Sequence, residues 1–301
     1  RPLQFVMAAN GQQNLDADVT VGSGRLVATV AQEAGQKSIA GDLSLDDVDL
    51  GPWGRIAGYD GLSGVANLSA NLRETKGTLP VAAVKGRISG ITANTVKDME
   101  PFEMVLNLDL AKGILNGTAN LGNRDVKILS AQGTVPLAVS VLAQNFSPDL
   151  AAPVSASVRM NGEIAEFWPY VPAPDHQVSG TINLELDVAG TLDDIGWKGN
   201  LGLSDGHYEN LVYGTILEQV RLAGEFDQNG LSIPSITATD GGNGKLDASV
   251  DLTMKDGGEA AYDVTATLRN FALSRVDELQ FWADVDTKVT GNQESADIES
   301  T

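Results

Sequence analysis

Apolar and polar residues alternate with a period of two along most of this chain. The clearest run is Val178 to Gly190, where Ile182, Leu184, Leu186 and Val188 alternate with Thr181, Asn183, Glu185 and Asp187. Such a run predicts a strand with one dry and one wet face. The same pattern returns at Leu246, Ala248, Val250 and Leu252, opposite Lys245, Asp247, Ser249 and Asp251. Earlier copies include Leu15 to Val21, Leu26 to Val30, Ala66 to Leu72, Met104 to Leu110, Leu115 to Leu121 and Val154 to Met160. Later ones are Tyr262 to Leu268 and Phe281 to Val289. Glycines at 190, 199, 206, 224, 230 and 241–242 mark the turns of the central stretch.

Helical signals are scarce. Pro136 to Gln144 and Gly162 to Trp168 each fit a short helical turn. Pro169, Pro172 and Pro174 form the best internal boundary, giving a first segment of 1–161 and a continuous second segment of 162–301. Gly291 to Thr301 is the one stretch polar enough to read as a linker. A loose repeat places Gly64-x-x-Asn67-Leu68, Gly117-x-x-Asn120-Leu121 and Gly180-x-x-Asn183-Leu184 each ahead of a Gly-Thr pair. Its spacing is too irregular for a strict solenoid.

The expected class is all-β: a long curled sheet, U-shaped in section, with few short helical turns. With so few helices the sheet must cover its own apolar face by splitting, closing or curling. Only 5% of residues are aromatic. Mid-sized aliphatic residues on the inner face favour a narrow, smooth groove over a filled barrel. The proposed lining is Ile182, Leu184, Leu186, Val188, Leu201, Leu203, Val220, Leu222, Phe226, Leu246, Val250 and Leu252. An ordinary closed core would use the same residue types.

Charge narrows the partners. With 40 acidic and 20 basic residues the formal charge is −20, which argues against a nucleic-acid or anionic-lipid surface. There are no cysteines, compatible with cytoplasm or periplasm in a fold of this size. No apolar run approaches the roughly 20 residues of a membrane span. The chain opens on Arg1-Pro2 and reads as a piece of a longer protein.

Candidate chemistry is thin. His176 and His207 sit beside turn signals and read as surface residues. Gly61-Leu62-Ser63-Gly64 lacks the spacing of a nucleophile elbow. Gly35-Gln36-Lys37-Ser38 lacks the upstream glycine of a phosphate loop. Asp240-Gly241-Gly242-Asn243-Gly244 resembles the start of a calcium repeat, but Leu246 replaces the needed aspartate, so a loose hairpin turn is expected. Asp46, Asp47 and Asp49 read as solvated, and nothing brings Glu163 and Glu166 to a cleft. The chain is therefore read as a non-enzyme with no cofactor and no metal.

Residues 162 to 252 carry a more specific succession. Gly162-Glu-Ile-Ala-Glu-Phe-Trp-Pro-Tyr-Val-Pro leads into Val178-Ser-Gly-Thr-Ile-Asn-Leu-Glu-Leu-Asp-Val-Ala-Gly-Thr-Leu. Trp197-Lys-Gly-Asn-Leu-Gly-Leu-Ser-Asp-Gly and Leu217-Glu-Gln-Val-Arg-Leu-Ala-Gly follow, then Leu231-Ser-Ile-Pro-Ser-Ile-Thr-Ala-Thr-Asp-Gly-Gly. This resembles the AsmA-like/TamB family of bridge proteins, the translocation and assembly module group. Ile195-Gly196 stands where that family usually has proline before the second strand. The resemblance implies a β-taco with a hydrophobic groove in the periplasm of a Gram-negative bacterium. It also implies an inner-membrane anchor helix outside this segment, phospholipid acyl chains as cargo and a TamA-type outer-membrane barrel as partner. The wider role implied is outer-membrane biogenesis and protein secretion.

Elementary energetics suit that role. Burying a tail gains about 0.8 kcal/mol per methylene, on the order of 10 kcal/mol per acyl chain. Similar residues on every strand let a tail slide. Two other classes remain: a scaffold that templates nascent strands by β-augmentation, and a β-helical polysaccharide enzyme, which would need a carboxylate cluster and regular rungs.

Overall fold

The computed structural model describes residues 4–56, 61–93, 100–123, 127–145, 149–168, 171, 173–254, 259–276, 279–292 and 295–301. The all-β expectation holds: these residues form eighteen strands and two short helices. No helix among them is long and apolar enough to cross a membrane. The chain divides into two compact units, Arg1–Val158 with Val188–Ile195, and Arg159–Asp187 with Gly196–Thr301.

The first unit holds β1 (Gln4–Met7), β2 (Gln13–Val21), β3 (Gly24–Gln32), β4 (Ser38–Asp49), helix α1 (Gly51–Ile56) and β5 (Leu62–Thr75). It continues through β6 (Val81–Ala93), β7 (Phe102–Ala111), β8 (Ile114–Gly122), β9 (Lys127–Pro136) and the start of β10 (Pro153–Glu163). From β1 to β9 each strand pairs antiparallel with the next. Local hairpins make such a meander the shortest route between neighbours. Register sends every alternate residue to one face. One row runs Val19, Leu26, Leu45, Leu68, Gly86, Leu106, Ala119, Ala131. The adjoining row runs Ala17, Ala28, Leu43, Ala70, Val84, Leu108, Gly117, Gly133. The apolar set thus lines up across the strands as well as along them.

The second unit holds helix α2 (Ile164–Phe167), most of β11 (His176–Thr191), β12 (Ile195–Asn210) and β13 (Thr215–Asp227). It ends with β14 (Gly230–Thr239), β15 (Lys245–Met254), β16 (Ala260–Val276), β17 (Leu279–Asn292) and β18 (Ala296–Ser300). From β12 onward these strands form a second antiparallel meander. Opposite charges secure the polar face, mostly on diagonal neighbours. Arg25 meets Asp18, Arg73 meets Asp42, Arg269 meets Asp286 and Lys288 meets Asp263 in this way. Much of the basic complement is therefore spent against acidic partners within the sheet.

Two expectations change. The helical turn expected within Pro136 to Gln144 is instead a strand end followed by a turn at 141–144, closed by pairing of Ser140 with Asn145. The cause is Glu74, 4% exposed, whose carboxylate accepts the backbone N–H groups of Val141 and Leu142 and the Ser140 hydroxyl. Residues 296–300 do not form a linker, because they make β18 and pair with β17. The second short helix falls within Gly162 to Trp168 as expected. Pro169 and Pro172 lie outside the described residues.

Candidate functional site

The candidate site is the apolar face of the second unit. Register places most of the sequence-nominated residues together on it. Phe226, Leu231, Leu252 and Tyr262 form one row. Ile233, Val250, Val264, Val289 and Ile298 form the next. Leu203, Leu222, Ile236, Ala248 and Ala266 form a third. Leu246 stands between Ala238 and Leu268, and Val220 opposite Gly206. Leu201 pairs with Gly224, two residues from Phe226. Ile182, Leu184 and Leu186 share one face of β11 by alternation, while Val188 belongs to the first unit.

Val220 is the one member of the twelve that is buried. The other eleven, Phe226 included, keep partial exposure, as Leu68, Leu106 and Leu108 do in the first unit. Central residues of a closed sandwich would be fully covered.

Glycine shapes this face at one point. A Cβ on Gly199 would collide with the Phe226 ring and with the Glu185 carbonyl. The ring therefore lies flat over β12, and Trp197 tilts against it at a centroid distance of 5.9 Å. A bulky residue at 199 would lift the ring off the sheet.

The same strands carry a depression of about 740 Å³. Glu185, Asp187, Lys198, Glu225, Asp227 and Asp251 contribute to its lining together with Phe226, Leu231 and Leu252. It is predominantly polar and is not the expected apolar groove. Arg159 pairs with Asp187 at 2.9 Å beside it. Backbone and side-chain N–H donation from Asn229 holds the Asp227 carboxyl below its usual range.

The residue that sequence reasoning undervalued is Asp240. Its turn is not loose. Asp240 is 2% exposed. One carboxylate oxygen accepts the N–H groups of Gly242 (2.8 Å) and Gly244 (2.9 Å). The other accepts the N–H of Ala272 (3.0 Å) and pairs with Arg275 (3.0 Å). Burial alone would raise its pKa, but the three N–H donors and Arg275 outweigh this and lower it. The signal in the sequence was Asp-Gly-Gly-Asn-Gly, a turn able to wrap around a carboxylate. Its partner, Arg275, lies in a segment with no motif.

The remaining candidates have structural surroundings. The His176 Nδ1 lies 2.9 Å from the Tyr208 hydroxyl and the rings stack, while the Trp168 indole donates to the His176 carbonyl. His207 lies 3.0 Å from Glu218. Asp46 accepts from Ser44, Asp49 caps the Gly51 N–H, and the Asp47 N–H donates to Asn67. Glu163 accepts from Thr181, whereas Glu166 stands apart with one buried oxygen lacking a partner. Among the described residues no group of three His, Cys, Asp or Glu could hold a metal ion. Comparison with known families, curated proteins and solved structures returns no match.

Proposed function

We propose that the apolar face carries phospholipid acyl chains, and that the chain is a segment of a periplasmic lipid conduit of the AsmA-like/TamB kind. The observation behind this reading is the continuity of the apolar rows together with the partial exposure of most of their residues. The row of Ile233, Val250, Val264, Val289 and Ile298 crosses five strands without a polar interruption. Neighbouring positions are nearly equal in energy for a methylene chain, so a tail has no fixed stopping point. A polar anchor would instead hold the lipid at one place.

The periplasmic location, the anchor helix and the TamA-type barrel partner come with the family resemblance and share its standing as proposals. The polar face supports a soluble exterior, with its charges paired across strands.

The test is native mass spectrometry of the protein after incubation with phosphatidylethanolamine vesicles. The conduit reading expects bound phospholipid, displaced by free fatty acid of matching tail length. A protein that stays lipid-free while binding unfolded outer-membrane strands would favour the β-augmentation scaffold instead.

A further inference from the structure

In the second unit the β14–β15 hairpin is shorter than the strands on either side. β14 and β15 have 10 residues each, against 13 in β13 and 17 in β16. The outer strands overrun the hairpin at the Asp240 turn and meet directly above it. The Thr215 hydroxyl donates to the Leu273 carbonyl (2.6 Å), and the Ser274 hydroxyl donates to the Tyr213 carbonyl (2.9 Å). These are side-chain contacts rather than a backbone ladder, so β13 and β16 can part here. Meanwhile β13 stays laddered to β12 (215–217 against 208–210) and β16 to β17 (271–276 against 279–283).

Each overrun begins at a bulge. Register slips between Glu218 and Arg221 in β13, and between Leu268 and Phe271 in β16. Gln219 (φ 54°) and Asn270 (φ 46°) occupy the left-handed region there. Bulges bend a strand locally and serve as natural hinges. Behind the meeting point lie Phe271 and Ala272, 1% and 0% exposed, with Ala238 and Val220 also buried. This is where the half-open apolar face becomes closed.

We propose that residues 270–276, together with the paired residues 279–283 of β17, form a hinged flap over a side port into the apolar face, latched shut by Asp240. One carboxylate oxygen grips the hairpin turn and the other grips β16 through Ala272 and Arg275. Release of the second oxygen frees the β16–β17 flap as one unit while the turn stays formed. The passenger would be a single acyl chain; that part rests on the lipid reading, whereas the latch does not.

The chain has no cysteines, so one introduced thiol reports one site. The experiment compares maleimide labelling of Ala272→Cys with and without Asp240→Asn, using Val264→Cys as control. An asparagine supplies one acceptor oxygen and cannot hold both sides. The expected result is labelling at 272 faster by about ten-fold or more with 264 unchanged, as for a local opening. Hydrogen exchange of the Ala272 amide, which donates to Asp240, reads the same opening in the cysteine-free protein if the thiol disturbs packing. Unchanged labelling, or an equal rise at 264, overturns the latch. Uptake of fluorescent phospholipid should quicken in Asp240→Asn with the same final occupancy. Local opening with unchanged uptake overturns the port. No uptake by either protein overturns the lipid passenger, while the labelling still decides the latch.

Discussion

Val250 stands directly opposite Val264 in the β15–β16 ladder, and one residue along, Asp251 stands opposite Asp263. One face of the pair is thus valine on valine and the other aspartate on aspartate. Like charges directly opposite are unfavourable in a sheet. Here Lys288 pairs with Asp263 at 2.8 Å, and the Ser232 hydroxyl donates to Asp251. Val250→Asp would put a carboxylate into the apolar row with no such partners. The expected outcome is loss of bound phospholipid in native mass spectrometry with strand content unchanged by circular dichroism. Asp251→Asn should leave lipid binding unaltered.

Gly199 marks where the sheet cannot tolerate a side chain. Gly199→Leu forces the Phe226 ring and the Glu185 carbonyl aside. Overpacking of this kind costs roughly 1–3 kcal/mol. A lower urea midpoint is expected, partly restored when Phe226→Ala removes the ring.

Much of this architecture was legible from alternation alone. Val178 to Gly190 and Lys245 to Leu252 are strands, and Leu246, Val250 and Leu252 share a face. A period of two fixes side-chain direction locally, so these placements need no tertiary information. Asp240 and Glu74 were not legible. Each is buried by backbone arriving from a distant part of the chain, Ala272 in one case and Val141–Leu142 in the other. In sequence, a carboxylate that accepts several N–H groups looks like any surface acid. Bulges at Gln219 and Asn270 were equally silent, since neither is glycine.

Glu74 should be sensitive even to an isosteric change. Glu74→Gln can keep its oxygen on the Val141 and Leu142 N–H groups but sets its N–H₂ where the Ser140 hydroxyl now donates. One buried donor is left unmatched, at a cost of about 1–3 kcal/mol. Chemical denaturation should report the loss, with protection of the Val141 and Leu142 amides falling first in hydrogen exchange.

Acid should loosen the Asp240 turn. Its folded pKa lies below the unfolded value because three N–H groups and Arg275 outweigh burial. A depressed carboxyl pKa contributes stability above the unfolded pKa and loses it as pH falls through the folded one. Exchange of the Gly242, Gly244 and Ala272 amides should therefore be flat from neutral pH to about pH 4 after correction for intrinsic rates, and should rise below it.

The most direct test of the proposed acyl-chain site is photo-crosslinking to phospholipid from paired positions on one strand. A photoreactive residue at Val250 should capture an acyl chain, and one at Leu186 should do the same. Positions Asp251 and Glu185, one step along on the opposite face, should stay silent. Capture from Asp251 and Glu185 equal to that from Val250 and Leu186, or from none of the four, would contradict an acyl-chain site on this face.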